Sequence, residues 1–249
     1  MDVQQTVGFA HFLQQTDGLG KTVFAVLLVM SVATWYLIII KTLQTRLARR
    51  RTVRFLETFW DAPSMQAVAA DLEEHHRAEE PFSHLAWHAI VAARHHQRHG
   101  ANKLNEAGSA TEFLTRSMRQ VVDEETARLE TGLTVLASVG STAPFVGLFG
   151  TVWGIYHALV NIGMSGQGTL DKVAGPVGEA LIMTAAGLAV AVPAVLAYNA
   201  FVRSNRMVLA KLDSFAHDLF AFLTTGSHVN EVAAVLPLTA TPVHAKGAA

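Results

Sequence analysis

One apolar stretch, residues 174–202, reads AGPVGEALIMTAAGLAVAVPAVLAYNAFV and is long enough to cross a lipid bilayer. It carries a single acid, Glu179, close to its start. A carboxylate at membrane depth costs about 2.5–3.5 kcal/mol on insertion scales, so chains rarely keep one there without a use. The stretch therefore predicts a membrane helix, and Glu179 is its first candidate functional residue.

Two more uncharged regions precede this stretch. Residues 22–40 read TVFAVLLVMSVATWYLIII, and a longer region begins at residue 131 and ends near a glycine-rich hairpin at 163–173. The basic residues that follow the first region favour a retained helix with its C-terminal end in the cytoplasm. They are Lys41, Arg46, Arg49, Arg50, Arg51 and Arg54.

The composition agrees with an all-α polytopic membrane protein. Hydrophobic residues make up 51% of the 249 residues and charged residues only 16%, and there is no cysteine. We therefore expect three transmembrane helices, with a periplasmic N-terminus and a cytoplasmic C-terminus. The expected segments are 1–21 outside, 22–40 spanning, 41–130 as a cytoplasmic helical domain, 131–162 spanning, 163–173 as a periplasmic hairpin, 174–202 spanning, 203–225 as a cytoplasmic helix, and 226–249 as a disordered tail.

The second span is predicted to continue an inner helix. Ser109 and Glu112 form a capping-box pattern, and amphipathic residues follow without an obvious breaker. The pattern predicts one unbroken helix from about residue 109 to about 162, which projects several turns into the cytoplasm. The third helix is also expected to extend inward, because Arg203 and Arg206 follow it.

Enzyme and metal signatures were sought along the chain. HExxH, GxSxG, Walker A and GxGxxG motifs are missing from the sequence, so we expect neither an enzyme nor a cofactor. Seven of the twelve histidines lie between His75 and His99, and His84 and His88 are one helical turn apart. That spacing can bind zinc, but a solvated face that responds weakly to pH is the favoured interpretation.

The second span carries a ridge of small side chains. The spacing of its members at three or four residues indicates close helix packing in lipid. The ridge consists of Ala143, Gly147, Thr151, Gly154 and Ala158, and Gly150 with Gly154 adds a GxxxG pattern. The hydroxyl of Thr151 is expected to face a neighbour, although bonding back to the Gly147 carbonyl is an open alternative.

The third span raises its own alternatives. Glu179 could extend to the headgroups, or it could bind and release protons that are driven by the membrane potential. Thr184 lies roughly 140° from Glu179 around a helix, so the two are expected to address different neighbours. Pro193 removes a backbone donor, which favours a bend.

Two motifs resemble a known family. APFVGLFGTVWGIYHAL at 143–159 and VGEALIMTAAGLAVAVPAVLAYN at 177–199 closely resemble the characteristic segments of the ExbB/TolQ/MotA proton-channel family. The first span and the N-out topology look like ExbB and TolQ, whereas MotA has an additional helix. The family often has PGIAEAL where this chain has GPVGEAL, a change that leaves the acid in place.

The resemblance implies a stator subunit of the bacterial inner membrane. Five copies would form a ring around a dimer of a single-span, aspartate-bearing partner such as ExbD or TolR, and proton motive force would act through TonB or TolA. By motif, Glu179 corresponds to the family's acid, and Thr151 and Thr184 correspond to polar residues that line the path. An ExbB-type role is favoured over a TolQ-type role, and a passive scaffold is the alternative from another class.

Overall fold

The computed structural model describes residues 17–75, 80–99, 110–165 and 170–225. The described part of the chain is entirely helical outside short turns. Its helices are α1 Gly18–Trp60, α2 Met65–His75, α3 Pro81–His99, α4 Ala110–Glu130, α5 Leu133–Ser165 and α6 Leu170–Thr225. The expected N-terminal segment through residue 16, the cap at Ser109 and the tail at 226–249 lie outside the described residues.

The chain divides into two compact units. The first comprises Met1–Ala48 and Arg128–Arg206, and the second comprises Arg49–Ala127 and Met207–Ala249. Three helical stretches are long and apolar enough to cross a membrane, which confirms the predicted number of spans. They are Gly18–Trp60, Ala110–Met164 and Ala180–Thr225.

The first unit is built on close packing among α1, α5 and α6. Its largest core cluster contains Leu27, Leu136 and Ala194, all nearly inaccessible to solvent. Large apolar side chains such as Phe145 and Leu196 point outward instead. Outward apolar side chains are stable in lipid, so this pattern suits helices that pack through small residues and present large ones to a bilayer.

The prediction of one unbroken second helix is wrong at a single point. Helix α4 ends at Glu130 and α5 begins at Leu133, and Gly132 between them has a φ of 82°. Glycine adopts this left-handed conformation without a steric penalty and therefore commonly ends helices. The freed carbonyl of Leu129 accepts hydrogen bonds from Lys41 Nζ at 2.9 Å and Asn205 Nδ2 at 2.8 Å.

The predicted hairpin at 163–173 is shorter in the structure. Helix α5 continues to Ser165 and α6 starts at Leu170, so helical residues occupy both ends of the predicted interval. Residues 166–169 lie outside the described part of the chain. The glycines at 166 and 168 prompted the wider prediction, but glycine near a helix end is compatible with helix on either side.

The second unit has an aromatic core. Phe59 packs against Phe215 with ring centroids 5.2 Å apart, and Leu85 and Leu212 are fully buried beside them. Helix α3 begins at Pro81, where a missing N–H costs no intrahelical hydrogen bond. Helices α2 and α3 lie within the segment 41–130 that the sequence predicts to be helical.

Candidate functional site

Helices α5 and α6 approach each other most closely at two facing glycines. A methyl group on Gly147 would lie 2.6 Å from the Met183 carbonyl oxygen, and one on Gly187 would lie 2.6 Å from the Ala143 carbonyl oxygen. Either contact is shorter than real Cβ atoms tolerate. The backbones therefore approach at a distance that only glycine permits, as in small-residue packing of membrane helices.

Thr151 lies on this packing surface, one turn beyond Gly147. Its side chain is buried, with 6% exposed. Its Oγ1 atom lies 3.2 Å from the Gly147 carbonyl oxygen, 3.1 Å from the Ala180 carbonyl oxygen and 2.5 Å from Thr184 Oγ1. The hydroxyl thus bonds back to its own helix, as the alternative interpretation held, and also contacts α6.

The two threonine hydroxyls form an ordered chain. Each hydroxyl carries one proton and two lone pairs. When Thr151 donates to a carbonyl, it accepts from Thr184, and when Thr151 donates to Thr184, the carbonyls lose its proton. Such a pair can pass a proton along or orient a neighbouring polar group. Neither hydroxyl titrates in the physiological range, so a group that holds the proton must come from elsewhere.

Glu179 is the nearest acid along α6. It directly precedes Ala180, whose carbonyl oxygen accepts from Thr151. The residue lies within α6, but its side chain is outside the described residues. The structure therefore brings Thr151 and Thr184 together and places the Glu179 backbone next to the carbonyl that accepts from Thr151.

The remaining ridge residues also lie on the packing surface. Ala143 and Ala158 are buried, a methyl group on Gly150 would lie 3.0 Å from Val23 of α1, and one on Gly154 would lie 3.0 Å from Ala180 Cβ. The small residues of α5 therefore contact α1 through Gly150 as well as α6, which spacing within one helix could not specify. Helix α6 remains helical on both sides of Pro193.

An acid that sequence reasoning missed lies just before α1. Asp17 Oδ1 accepts the Gly20 N–H at 2.8 Å, and Oδ2 accepts the Trp153 indole N–H at 2.7 Å and lies 3.9 Å from His157 Nε2. Burial raises the pKa of Asp17, but these hydrogen bonds and the charges of His157 and Lys21 outweigh it, so the pKa lies below the ordinary 3.8. An aspartate followed by a helical run is a recognisable N-cap signal.

The second unit contains a buried histidine–carboxylate contact. His84 Nδ1 lies 2.7 Å from Glu125 Oε1, and Glu125 is 2% exposed. The His84 and His88 rings are perpendicular at 4.7 Å, and burial together with the charge of His84 lowers the pKa of His88. Within the described ranges, no group of three or more potential ligands could hold a metal ion.

A second buried acid lies in the same unit. Glu80 accepts a hydrogen bond from the Thr52 hydroxyl at 2.6 Å and one from the Ser83 N–H at 3.3 Å. Burial raises the pKa of Glu80, the two hydrogen bonds and Arg51 oppose it, and the charge of Glu125 adds to the rise. The net pKa is above the ordinary value, so this carboxyl holds its proton more tightly than an exposed one.

Comparison with known proteins places these features in a family. The model of the MotA/TolQ/ExbB proton channel family matches residues 83–214, more than half of the chain. "Biopolymer transport protein ExbB" of Xanthomonas campestris pv. campestris is 47% identical over 231 residues, covering 90% of this chain and 91% of that protein. The protein of the same name from Neisseria meningitidis is 43% identical, covering 79% of this chain and 88% of its own length.

A relative with another name is more distant. "Tol-Pal system protein TolQ" of Pseudomonas aeruginosa is 33% identical over 214 residues, covering 85% of this chain and 90% of that protein. The alignments cover 91%, 88% and 90% of the lengths of these three relatives. The chain belongs to the MotA/TolQ/ExbB proton channel family.

Proposed function

We propose that this chain is the proton-channel subunit of an ExbB-type motor, which uses proton motive force across the inner membrane to energise TonB-dependent outer-membrane transport. The observation that carries the proposal is the contact between the hydroxyls of buried Thr151 and half-buried Thr184, because the carbonyl that accepts from Thr151 belongs to Ala180, next to Glu179. The identities of 47% and 43% to proteins named ExbB support the ExbB type over the TolQ type.

In this proposal Glu179 takes up and releases the proton, and Thr151 and Thr184 orient it. Moving one elementary charge through a potential of about 100 mV releases about 2.3 kcal/mol, and a titratable acid lets the protein use that energy. One acid per chain cannot relay a proton across the bilayer. Several copies, proposed as a pentamer, and an ExbD-like partner with its own aspartate complete the path, and a TonB-like protein receives the motion.

The proposed topology places the N-terminus in the periplasm. The basic residues after α1's apolar part and after residue 202 support this orientation, because cytoplasmic flanks carry excess Lys and Arg. The end of the first unit that contains Asp17, Trp153 and His157 then faces the periplasm, which supplies the protons.

The test is TonB-dependent uptake in cells that lack the native subunit. Glu179→Gln removes the titratable group at almost constant volume, and Glu57→Gln makes the same change at an exposed acid of the second unit. We expect uptake to disappear in Glu179→Gln and to persist in Glu57→Gln, with equal membrane levels and equal partner assembly. Persistent uptake in Glu179→Gln would favour a non-conducting scaffold instead.

The TolQ-type alternative rests on the 33% identity to the Pseudomonas aeruginosa protein. It is tested by producing this chain with its genomic partner in cells that lack TolQ and by measuring outer-membrane integrity. Rescue of integrity without rescue of TonB-dependent uptake would assign the chain to the Tol-Pal system.

A further inference from the structure

The contact between the start of α1 and helix α5 is built from a charge, an indole and an imidazole. Asp17 Oδ2 accepts the Trp153 indole N–H at 2.7 Å, and the His157 ring lies 4.6 Å from the Trp153 ring. The remaining separation, between Asp17 Oδ2 and His157 Nε2, is 3.9 Å. This is close enough for an ion pair but too long for a hydrogen bond.

Both members of this pair are partly exposed on the surface of the unit. The Asp17 side chain is 38% exposed and the His157 side chain is 43% exposed. Of all side chains, histidine is the one whose ordinary titration falls between about pH 5 and pH 8. Asp17 remains ionised in this range because its pKa is lowered.

Among the described side chains around the imidazole of His157, Asp17 is the charged group that contacts it. Tyr156 and Trp153 touch the ring on its own helix, and Lys21 of α1 acts on Asp17. Helix α6 meets α5 one turn earlier, at Gly154 and Ala180, where its described residues are uncharged. The side chains of Asp171, Lys172 and Glu179 on α6 are outside the described residues, so variants of these residues belong in the test.

We propose that Asp17 and His157 form a proton-operated clamp between α1 and α5. When the imidazole takes a proton from the solvent, an ion pair closes against the carboxylate that Trp153 already holds in place. When the proton leaves, the carboxylate keeps its hydrogen bonds to Trp153 and Gly20, and the pull on His157 is lost. Asp17 is a positioning residue in this device, and His157 is its sensor.

The clamp adds a regulatory element to the proposed function. The clamp rests on the proposed function in one respect only, the proposed topology. That topology places this end of the unit on the side of the membrane that supplies protons. A more acidic periplasm then ties the outer end of α1 to α5, and an alkaline periplasm releases it. The clamp is lost again at the low pH at which Asp17 itself becomes protonated.

A double-mutant cycle at two pH values tests the clamp. Asp17→Asn removes the charge and keeps one acceptor oxygen, which can serve either the Gly20 N–H or the Trp153 indole, and His157→Gln removes the imidazole. Unfolding of the full chain in detergent micelles is followed for the wild type, both single variants and the double variant. We expect coupling of about two- to fivefold in the unfolding equilibrium constant near pH 5.5 and none near pH 8.

Equal coupling at both pH values, or none at either, would overturn the clamp. A contact that does not depend on protonation would give equal coupling at both pH values, because the Trp153 hydrogen bond to Asp17 is the same whether or not the imidazole carries a second proton. His217→Gln, at an exposed histidine of the second unit, should show no pH-dependent coupling to Asp17→Asn. The cycle should give the same coupling when it is repeated in variants of the three α6 residues, Asp171→Asn, Lys172→Gln and Glu179→Gln. A change in one of them would assign the pH effect to that residue instead.

Tryptophan fluorescence provides a second measurement. A protonated imidazole in contact with an indole quenches its emission, and the two rings lie 4.6 Å apart. The component of emission that is lost in Trp153→Phe should be weaker near pH 5.5 than near pH 8, and His157→Gln should abolish that difference. A flat profile in the wild type would refute protonation at this contact. Neither measurement requires transport, so the clamp can fail while the proposed function stands, and the reverse.

Discussion

Thr151 and Thr184 share a hydrogen bond across the packed surfaces of α5 and α6, with their Oγ1 atoms 2.5 Å apart. Thr151 has one proton and can donate it either to one of two nearby carbonyl oxygens or to Thr184. The direction of the hydrogen bond between the two threonines therefore depends on where Thr151 donates. The pair therefore has two proton orders within the same heavy-atom geometry. In the proposed function, this order follows the protonation state of the acid that the pair orients.

Removing the Thr151 hydroxyl should impair both packing and the proposed activity. Thr151→Val keeps the shape but leaves the Ala180 carbonyl and Thr184 with one partner fewer, so we expect a loss of about 1 kcal/mol in unfolding free energy and a marked fall in uptake. Thr151→Ser should restore most of both. Thr142→Val is the matched control, because Thr142 is exposed on the same helix and its hydroxyl donates to the Ser138 carbonyl of that helix. If Thr151→Val retained full uptake, the pair would have no role in the path.

The glycine contact between α5 and α6 predicts a steric effect. Gly147→Ala and Gly187→Ala would each place a methyl group 2.6 Å from a backbone oxygen, which cannot move away as a flexible side chain can. We expect each to lower the unfolding free energy by about 1–3 kcal/mol, measured by thermal or denaturant unfolding of the purified protein. Gly163→Ala is the control in α5, since its methyl group would meet nothing within 4 Å. Equal losses in all three variants would contradict the close approach.

The raised pKa of Glu80 predicts a pH-dependent stability of the second unit. Because the folded state holds this proton more tightly than the unfolded chain, stability should rise as the pH falls through the raised pKa, and the gain is complete below the ordinary value of 4.5. Glu80→Gln should therefore gain less stability than the wild type between about pH 7 and about pH 5. Unfolding is followed by Trp60 and Trp87 fluorescence. Glu57→Gln, at an exposed acid, should keep the wild-type slope, and an unchanged slope in Glu80→Gln would refute the prediction.

The His84–Glu125 contact predicts a rescue. His84→Phe takes the imidazole away from a carboxylate that is 2% exposed, and we expect a loss of about 3 kcal/mol in unfolding free energy. Adding Glu125→Leu should recover much of that loss, because the buried charge is then removed as well. The four proteins of this cycle are compared by denaturant unfolding. Simple additivity of the two losses would show that the imidazole and the carboxylate do not interact.

The number of spans could be predicted because lipid imposes a strong constraint. A backbone in hydrocarbon must satisfy its hydrogen bonds internally, so long uncharged stretches become helices whatever their neighbours are. Glu179, Thr151 and the small-residue ridge were found for a related reason, since polar and small residues are exceptional on membrane helices. Their assignment to a proton path remains a prediction.

The contacts between helices could not be predicted in the same way. The 140° angle between Glu179 and Thr184 describes one helix and cannot say which helix lies opposite, so the Thr151–Thr184 bond was missed. The Asp17–Trp153 bond joins residues 136 positions apart and leaves no periodic signal. The break at Gly132 was missed because one glycine in a long helix costs only about 1 kcal/mol and is often tolerated.

The facing glycines also restrict how this gene can vary. Every single-nucleotide missense change in a glycine codon encodes a residue with a Cβ atom, so neither Gly147 nor Gly187 has a conservative neighbour in the genetic code. A Cβ at either position would lie 2.6 Å from a backbone oxygen of the opposite helix. Inheritable change at this crossing therefore requires two substitutions together, or a shift of one helix along the other. A saturation library of the gene should show these two codons among its least permissive.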